Sequence, residues 1–341
     1  HHVSHAASAF FPSTFEESAI LTIDGVGEWS TSSIGYGKGN NIELLETLSF
    51  PDSVGLLYSA FTYYVGFMVN RGEYKLMGLA PYGEPKFVDK IKSELVHVNP
   101  DGSIRLNMDY FDYLSGMKMT NDKFNELFGG LPRDPESQIT QREMDLAKSI
   151  QTVTEEIIMK MANHAYNLTR CENLCLAGGV ALNCVANGKL LREGKFKQIW
   201  IQPAAGDAGG ALGSALYFYY SRYNRDRDSS KSIQRGSYWG PQYSNYEVQS
   251  VLESYDIKYE KKSGSERSKY IARALSQGKV VGHFSGRMEY GPRALGSRSI
   301  LGDPRDSNTQ SKINLKIKYR ESFRPFAPTV LEEDISEFFD M

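Results

Sequence analysis

NLCLAGGVALN, residues 173–183, is the stretch whose reading decides the fold. Its apolar opening reads as a buried strand, the glycine pair as a tight turn and VALN as a helix start. The same grammar follows directly. KQIWIQP (197–203) is a second short strand, and AAGDAGGALGSALYFYY (204–220) is a glycine-rich turn running into a helix. Strands alternating with helices predict an α/β fold. Upstream, a long helix is predicted from about Gln138 to Thr169, because Leu146, Ile150, Val153, Ile157, Met161, Ala165 and Leu168 recur at steps of three and four. His164 on that helix reads as a structural histidine.

Working outward to the start, SAILTID (18–24), STSSIGYGKG (30–39) and NIELLETLSF (41–50) read as three strands. The first two form a hairpin with Asp–Gly in its turn. SVGLLYSAFTYYVGF (53–67) reads as a core helix. EYKLMGLAPYGEP (73–85) reads as a loop, and residues 86–135 as an insertion or cap. SRYNRDRDSSKS (221–232) reads as a solvated linker. Beyond it, YEVQSVLESYD and ERSKYIARALSQGK predict helices, and VVGHFSG a buried strand.

At 341 residues the chain has room for two domains. Apolar content of 40%, charged content of 23% and a net charge of −2 fit globular cores. With a pI near 6.4 they give no electrostatic case for nucleic acid or a membrane surface. Cys171, Cys175 and Cys184 are odd in number and close together, which fits free thiols in a reducing, cytoplasmic setting. No signal peptide or spanning apolar run is seen. A motif at residue 1 without an initiator Met predicts a start inside a larger protein.

The opening, HHVSHAASAF, places His1 and His5 four residues apart, on one face of a helix. Two readings compete. One is a metal pair; the other is tag remnant or packing chance. Asp24, at a strand end, is a turn carboxylate or a ligand. Asp207, at a strand-to-helix turn, is a hard ligand or a helix cap. Taken together, His1, His5, Asp24 and Asp207 make a two-histidine, two-carboxylate set suited to Fe(II), Zn or Mn. Gly178 and Gly179 read either as a phosphate cradle at a helix start or as a packing turn. Neither a P-loop nor GxGxxG is present, and a metalloprotease reading lacks HExxH. Arg287, Arg293 and Arg298 lie among Gly, Leu and Ile rather than in a solvated charge run, which suits phosphate or carboxylate oxygens.

Six stretches resemble one family when read in order: HHVSHAASAFFPS, IDGVGEW, GEYKLMGLAPYG, LAGGVALNCVANGKLL, QPAAGDAGGALG and SGRMEYGPRALGSRSILGDPRD. They are similar to the nodulation-type O-carbamoyltransferases, which carbamoylate antibiotics and nodulation factors. That resemblance implies an actin/hexokinase-like (ASKHA) domain over 1–228 and a YrdC-like α/β domain over 233–341, both incomplete in this chain. By the resemblance, the second domain makes carbamoyl-adenylate from carbamoyl phosphate and ATP. The first passes the carbamoyl group to a small-molecule hydroxyl with the help of a divalent metal, Fe(II) first, with Zn, Mn or Mg as further ions. It makes His1, His5, Asp24 and Asp207 the metal ligands. Gly178, Gly179, Asn183, Gly206, Glu73 and Lys75 match nucleotide-binding positions. Arg287, Arg293 and Arg298 match the phosphate-handling stretch, and Asp24 or a metal-bound water would be the base. The oligomeric state stays open, a homodimer among the options. The alternatives are a tRNA threonylcarbamoyl-transferase-like enzyme and a non-catalytic nucleotide-binding fragment.

Overall fold

A computed structural model describes every residue except Glu136, Arg235, Asp340 and Met341. The chain divides into two units. The first comprises His1–Ser237 with Tyr290–Pro292, and the second Tyr238–Glu289 with the residues from Arg293 onward.

In the first unit a short helix, α1 (His2–Phe10), precedes three strands, β1 (Glu17–Gly27), β2 (Ser30–Lys38) and β3 (Asn41–Ser49). Then come α2 (Val54–Tyr64) and α3 (Glu73–Leu79), the two-stranded hairpin of β4 (Val96–Val98) and β5 (Ile104–Leu106), α4 (Asp122–Phe128) and the long α5 (Gln141–Thr169). Two strand-plus-helix repeats complete the unit: β6 (Asn173–Ala177) with α6 (Cys184–Glu193), and β7 (Gln198–Ile201) with α7 (Asp207–Tyr217). The main sheet runs β3-β2-β1-β6-β7. β1 pairs antiparallel with β2 and parallel with β6, and β6 pairs parallel with β7.

Alternation along β1 organises the packing. Every second residue of a strand faces the same side. Ile20 packs with Ala6, Phe10 and Cys175 in the core under α1, and Thr22 and Asp24 point the same way. Leu21 faces the opposite side, toward Met161 and His164 of α5. Phe10 and Phe11 are fully buried, and burial of a side chain of this size stabilises by about 2–3 kcal/mol.

Several expectations are corrected. The Asp–Gly pair does not form the hairpin turn. β1 continues through a register shift between Ile23 and Gly27, Gly27 faces Ser30, and the turn falls on Glu28 and Trp29, with Glu28 at φ +60°. EYKLMGL is a helix rather than a loop, because Glu73 in its first turn accepts hydrogen bonds from the amides of Asn70 and Gly72. Nor is the 221–232 stretch merely solvated. Arg227 inserts its guanidinium against α1.

In the second unit, α8 (Asn245–Ser254) and α9 (Gly264–Ser276) begin with serine capping boxes, as Ser–x–x–Glu spacing dictates. β8 (Val281–Phe284) pairs antiparallel with β9 (Arg298–Leu301). β8 is half-exposed where a buried strand was expected. A two-stranded sheet leaves alternate side chains open, and Phe284 shows it. No helix among the described residues is long and apolar enough to cross a membrane.

Candidate metal centre

Three elements deliver four ligand-type side chains to one point. His1 caps the start of α1 and His5 lies one turn on. Asp24 is carried on β1, and Asp207 opens α7. One ligand atom from each lies within 4.8 Å of all the others. His1 Nε2 is 2.8 Å from Asp24 Oδ2 and 3.0 Å from His5 Nε2. His5 Nε2 is 3.2 Å from Asp24 Oδ2, and Asp207 Oδ1 is 3.6 Å from both imidazole nitrogens.

These separations test whether an ion fits. Ligands about 2.1 Å from one ion lie about 3.0 Å apart at right angles and about 3.4 Å apart at the tetrahedral angle. The measured distances bracket both values. Two carboxylates and two neutral imidazoles also match the charge of a divalent cation. The residues present therefore fit the metal that the sequence implies.

One side of the cluster is closed and the other open. His5 is 1% exposed at its side chain and Asp207 80%. A pocket of about 360 Å³ opens beside them, lined by His1, Ser4, His5, Asp207, Gly210 and Ser214. Ser4 Oγ and Ser214 Oγ are 3.0 Å apart in it. Sequence reading missed both serines, although Ser4 stands inside the HHVSH motif.

Supporting contacts fix the ligands. Burial pushes the Asp24 carboxyl up, but its bond to His5 and the amides of Gly179 and Gly25 outweigh burial and hold it below the usual carboxylate range. The Gly179 N–H donates to Asp24 Oδ1 over 3.1 Å. Gly178 sits at φ +90°, and a Cβ there would strike the Ile23 carbonyl, so this turn requires glycine. His2 is not a member of the cluster. Its Nε2–H donates to the Ser30 carbonyl, so Nδ1 is the acceptor and takes the Thr22 hydroxyl proton. Burial lowers its pKa, which suits this neutral tautomer.

The other sequence-derived positions fall as follows. Asn183 caps α6 by accepting from Ala186 N–H, and its amide is paired with Gln151. Glu73 also accepts from the Ser59 hydroxyl. Lys75 lies over the Phe67 ring, 5.5 Å from its centroid. Gly206 is the residue before α7, and a side chain there would meet open space. In the second unit, Arg287 donates to the Gly240 carbonyl and Arg293 is exposed. Arg298 donates to the carbonyls of Ser285, Ser297, Pro241 and Gly286 and stacks 3.5 Å over Phe284. A residue not singled out from sequence organises this loop. Glu289 Oε1 accepts the amides of Leu295, Ser297 and Arg298 at 2.8, 2.7 and 3.2 Å.

The family model described as carbamoyltransferase N-terminus matches residues 1–216, and that described as carbamoyltransferase C-terminus matches residues 272–341. The chain belongs to the carbamoyltransferase family. All four cluster residues lie in the N-terminal family match and all three arginines in the C-terminal one.

Among curated relatives of this carbamoyltransferase-family chain, an uncharacterized protein of Synechocystis sp. is 58% identical over 100% of this chain and 56% of its own length. Nodulation protein NolNO of Sinorhizobium fredii is 39% identical, over 100% of this chain and 48% of its own. Nodulation protein NolO of Bradyrhizobium diazoefficiens is 38% identical, over 100% and 60%. The chain thus spans about half the length of the curated relatives it matches. A crystal structure of T. kodakarensis HypF aligns with a TM-score of 0.34 at 14% identity, over 67% of this chain and 38% of that one, which is too slight a likeness to build on.

Proposed function

We propose that this chain is part of an ATP-dependent O-carbamoyltransferase. In this reading a YrdC-like domain over 233–341 hydrolyses carbamoyl phosphate to carbamate and phosphate, then joins carbamate to ATP as carbamoyl-adenylate with release of pyrophosphate. An actin/hexokinase-like domain over 1–228 then passes the carbamoyl group to a hydroxyl of a small-molecule acceptor, releasing AMP and the hydroxyl proton. The observation that carries the reading is the convergence of His1, His5, Asp24 and Asp207 inside the N-terminal family match.

These four residues would hold a divalent ion, Fe(II) first, with Zn or Mn suiting the same donors. Such an ion, when bound, polarises a carbonyl oxygen and neutralises developing charge. Asp24 acts as ligand rather than base. One of its oxygens accepts from Gly179 and the other faces both imidazoles, so neither is left to take a proton from the acceptor. The Ser4 and Ser214 hydroxyls border the open side of the cluster and offer hydrogen bonds to a neutral, hydroxyl-bearing ligand. Arg287 and Arg293 serve the phosphates of ATP and carbamoyl phosphate. Arg298, committed to four carbonyls, shapes the loop that carries them.

The test is metal content by elemental analysis, with wild type beside His5→Ala and Asp207→Ala. About one ion per chain, mostly lost in both variants, is the expected result. A folded wild type that is metal-free and cannot be loaded refutes the reading.

A further inference from the structure

Several glycines surround the cluster, and most of them abut backbone. A Cβ at Gly55 would lie 2.5 Å from the Asp24 carbonyl oxygen, one at Gly178 would strike the Ile23 carbonyl, and one at Gly213 the Ser4 carbonyl. Those glycines let elements approach one another. Gly27 differs. The nearest atoms to a Cβ there all belong to the His1 imidazole: Cδ2, Cγ and, 2.7 Å away, Nε2. The ring that supplies the ligand nitrogen lies against the bare Cα of a buried strand residue. Glycine is not demanded there by backbone conformation, because Gly27 is not among the positive-φ residues. It ends β1 beyond the register shift, opposite Ser30, so its place is fixed by the sheet. Among the described residues, the three atoms nearest the missing side chain are all of the imidazole, and it is the ring that the bare Cα admits.

We propose that Gly27 is a positioning residue for the metal centre: its empty Cβ site holds the His1 ring where Nε2 meets His5, Asp24 and Asp207. This rests on the metal reading above. A methyl group at position 27 rotates the ring away, removes one of four ligands and leaves the strand intact. Alanine is at least as good as glycine in a strand, so the metal-free protein should melt at the same temperature or higher.

The experiment measures Zn(II) affinity by chelator competition and records the Co(II) visible spectrum. The proteins are wild type, Gly27→Ala, the exposed neighbour control Val26→Ala, His1→Ala and the double variant His1→Ala/Gly27→Ala. Gly27→Ala should weaken Zn(II) binding about 10- to 100-fold, the range for displaced supporting contacts, and change the Co(II) spectrum toward that of His1→Ala. Val26→Ala should do neither. In the His1→Ala background Gly27→Ala should add nothing, because its target is gone. Should Gly27→Ala alone fold poorly, the double variant should regain the melting temperature of His1→Ala. Wild-type affinity in Gly27→Ala, an equal further loss in the double variant, or a double variant that still folds poorly overturns the proposal. A wild type that binds neither ion defeats the metal reading itself, and this inference with it, which is a different result from any of those.

Discussion

Arg227→Ala should destabilise the first unit by about 3 kcal/mol, the largest effect expected of any residue in the 221–232 stretch. The Arg227 guanidinium donates to the carbonyls of Phe10 and Ser13 at 2.9 Å, Phe15 at 2.8 Å and Phe11 at 3.3 Å. It also lies 4.3 Å from the Phe10 ring centroid. Phe10 and Phe11 end α1, where helix carbonyls lack intrahelical partners. Charged hydrogen bonds contribute about 1.5–3 kcal/mol each, but four to one group are not additive, and water reaches part of the site once the side chain is gone. About 3 kcal/mol is what remains after that discount. For a unit of this size each kcal/mol lowers Tm by about 2–4 °C, so a fall of about 6–12 °C is expected. Differential scanning calorimetry at neutral pH reads it. Arg227→Lys should recover less than half, since one ammonium cannot reach four carbonyls arranged around a planar fork. A Tm within about 1 °C of wild type for Arg227→Ala would show that the stretch is the solvated linker it resembles in sequence, and would refute the pinning of α1.

Glu289→Gln should loosen the second unit by about 1–2 kcal/mol at pH 7, read by urea denaturation. Burial raises the Glu289 carboxyl, but the amides it accepts outweigh burial and hold it at about 2, against an ordinary 4.5. Its contribution is therefore complete above about pH 4.5 and lost as pH falls toward 2, and the glutamine variant should lack that part of the acid dependence. Gly213→Ala, whose methyl would meet the Ser4 carbonyl, should force α7 off α1 and cost about 1–3 kcal/mol in thermal stability, with Asp207 drawn away from the histidines and metal affinity lowered. Unchanged stability in either variant would contradict the contact described.

Much of the fold is legible in local chemistry. The 141–169 helix announces itself by apolar spacing and the two strand-turn-helix repeats by glycine placement, while the structure adds the Thr140–Glu143 capping box that sets the helix start. Two of the misread segments show a local signal overridden. EYKLMGL contains glycine but is rescued by a first-turn glutamate, and IDGVG carries a turn signal that the sheet overrides by extending β1. In the second case turn propensity is worth about 1 kcal/mol or less, and ladder pairing over several residues exceeds it.

The candidate site divides the same way. Sequence alone named the candidate residues: the i, i+4 spacing put His1 and His5 on one face, and the strand reading put Asp24 at the end of SAILTID. It also determined the family, through motifs in a fixed order. Only tertiary structure decided that residues 1 and 207 meet, because that requires α1 and α7 to approach across a glycine at position 213. The same holds for which polar groups are already spent. The resemblance implies ligand-binding roles for Asn183, Glu73 and Arg298, and the structure gives each nearby backbone or side-chain partners. Hydrogen-bond satisfaction is settled by what surrounds a group in space, and a buried donor or acceptor takes whatever partner the packing brings within 3 Å or so.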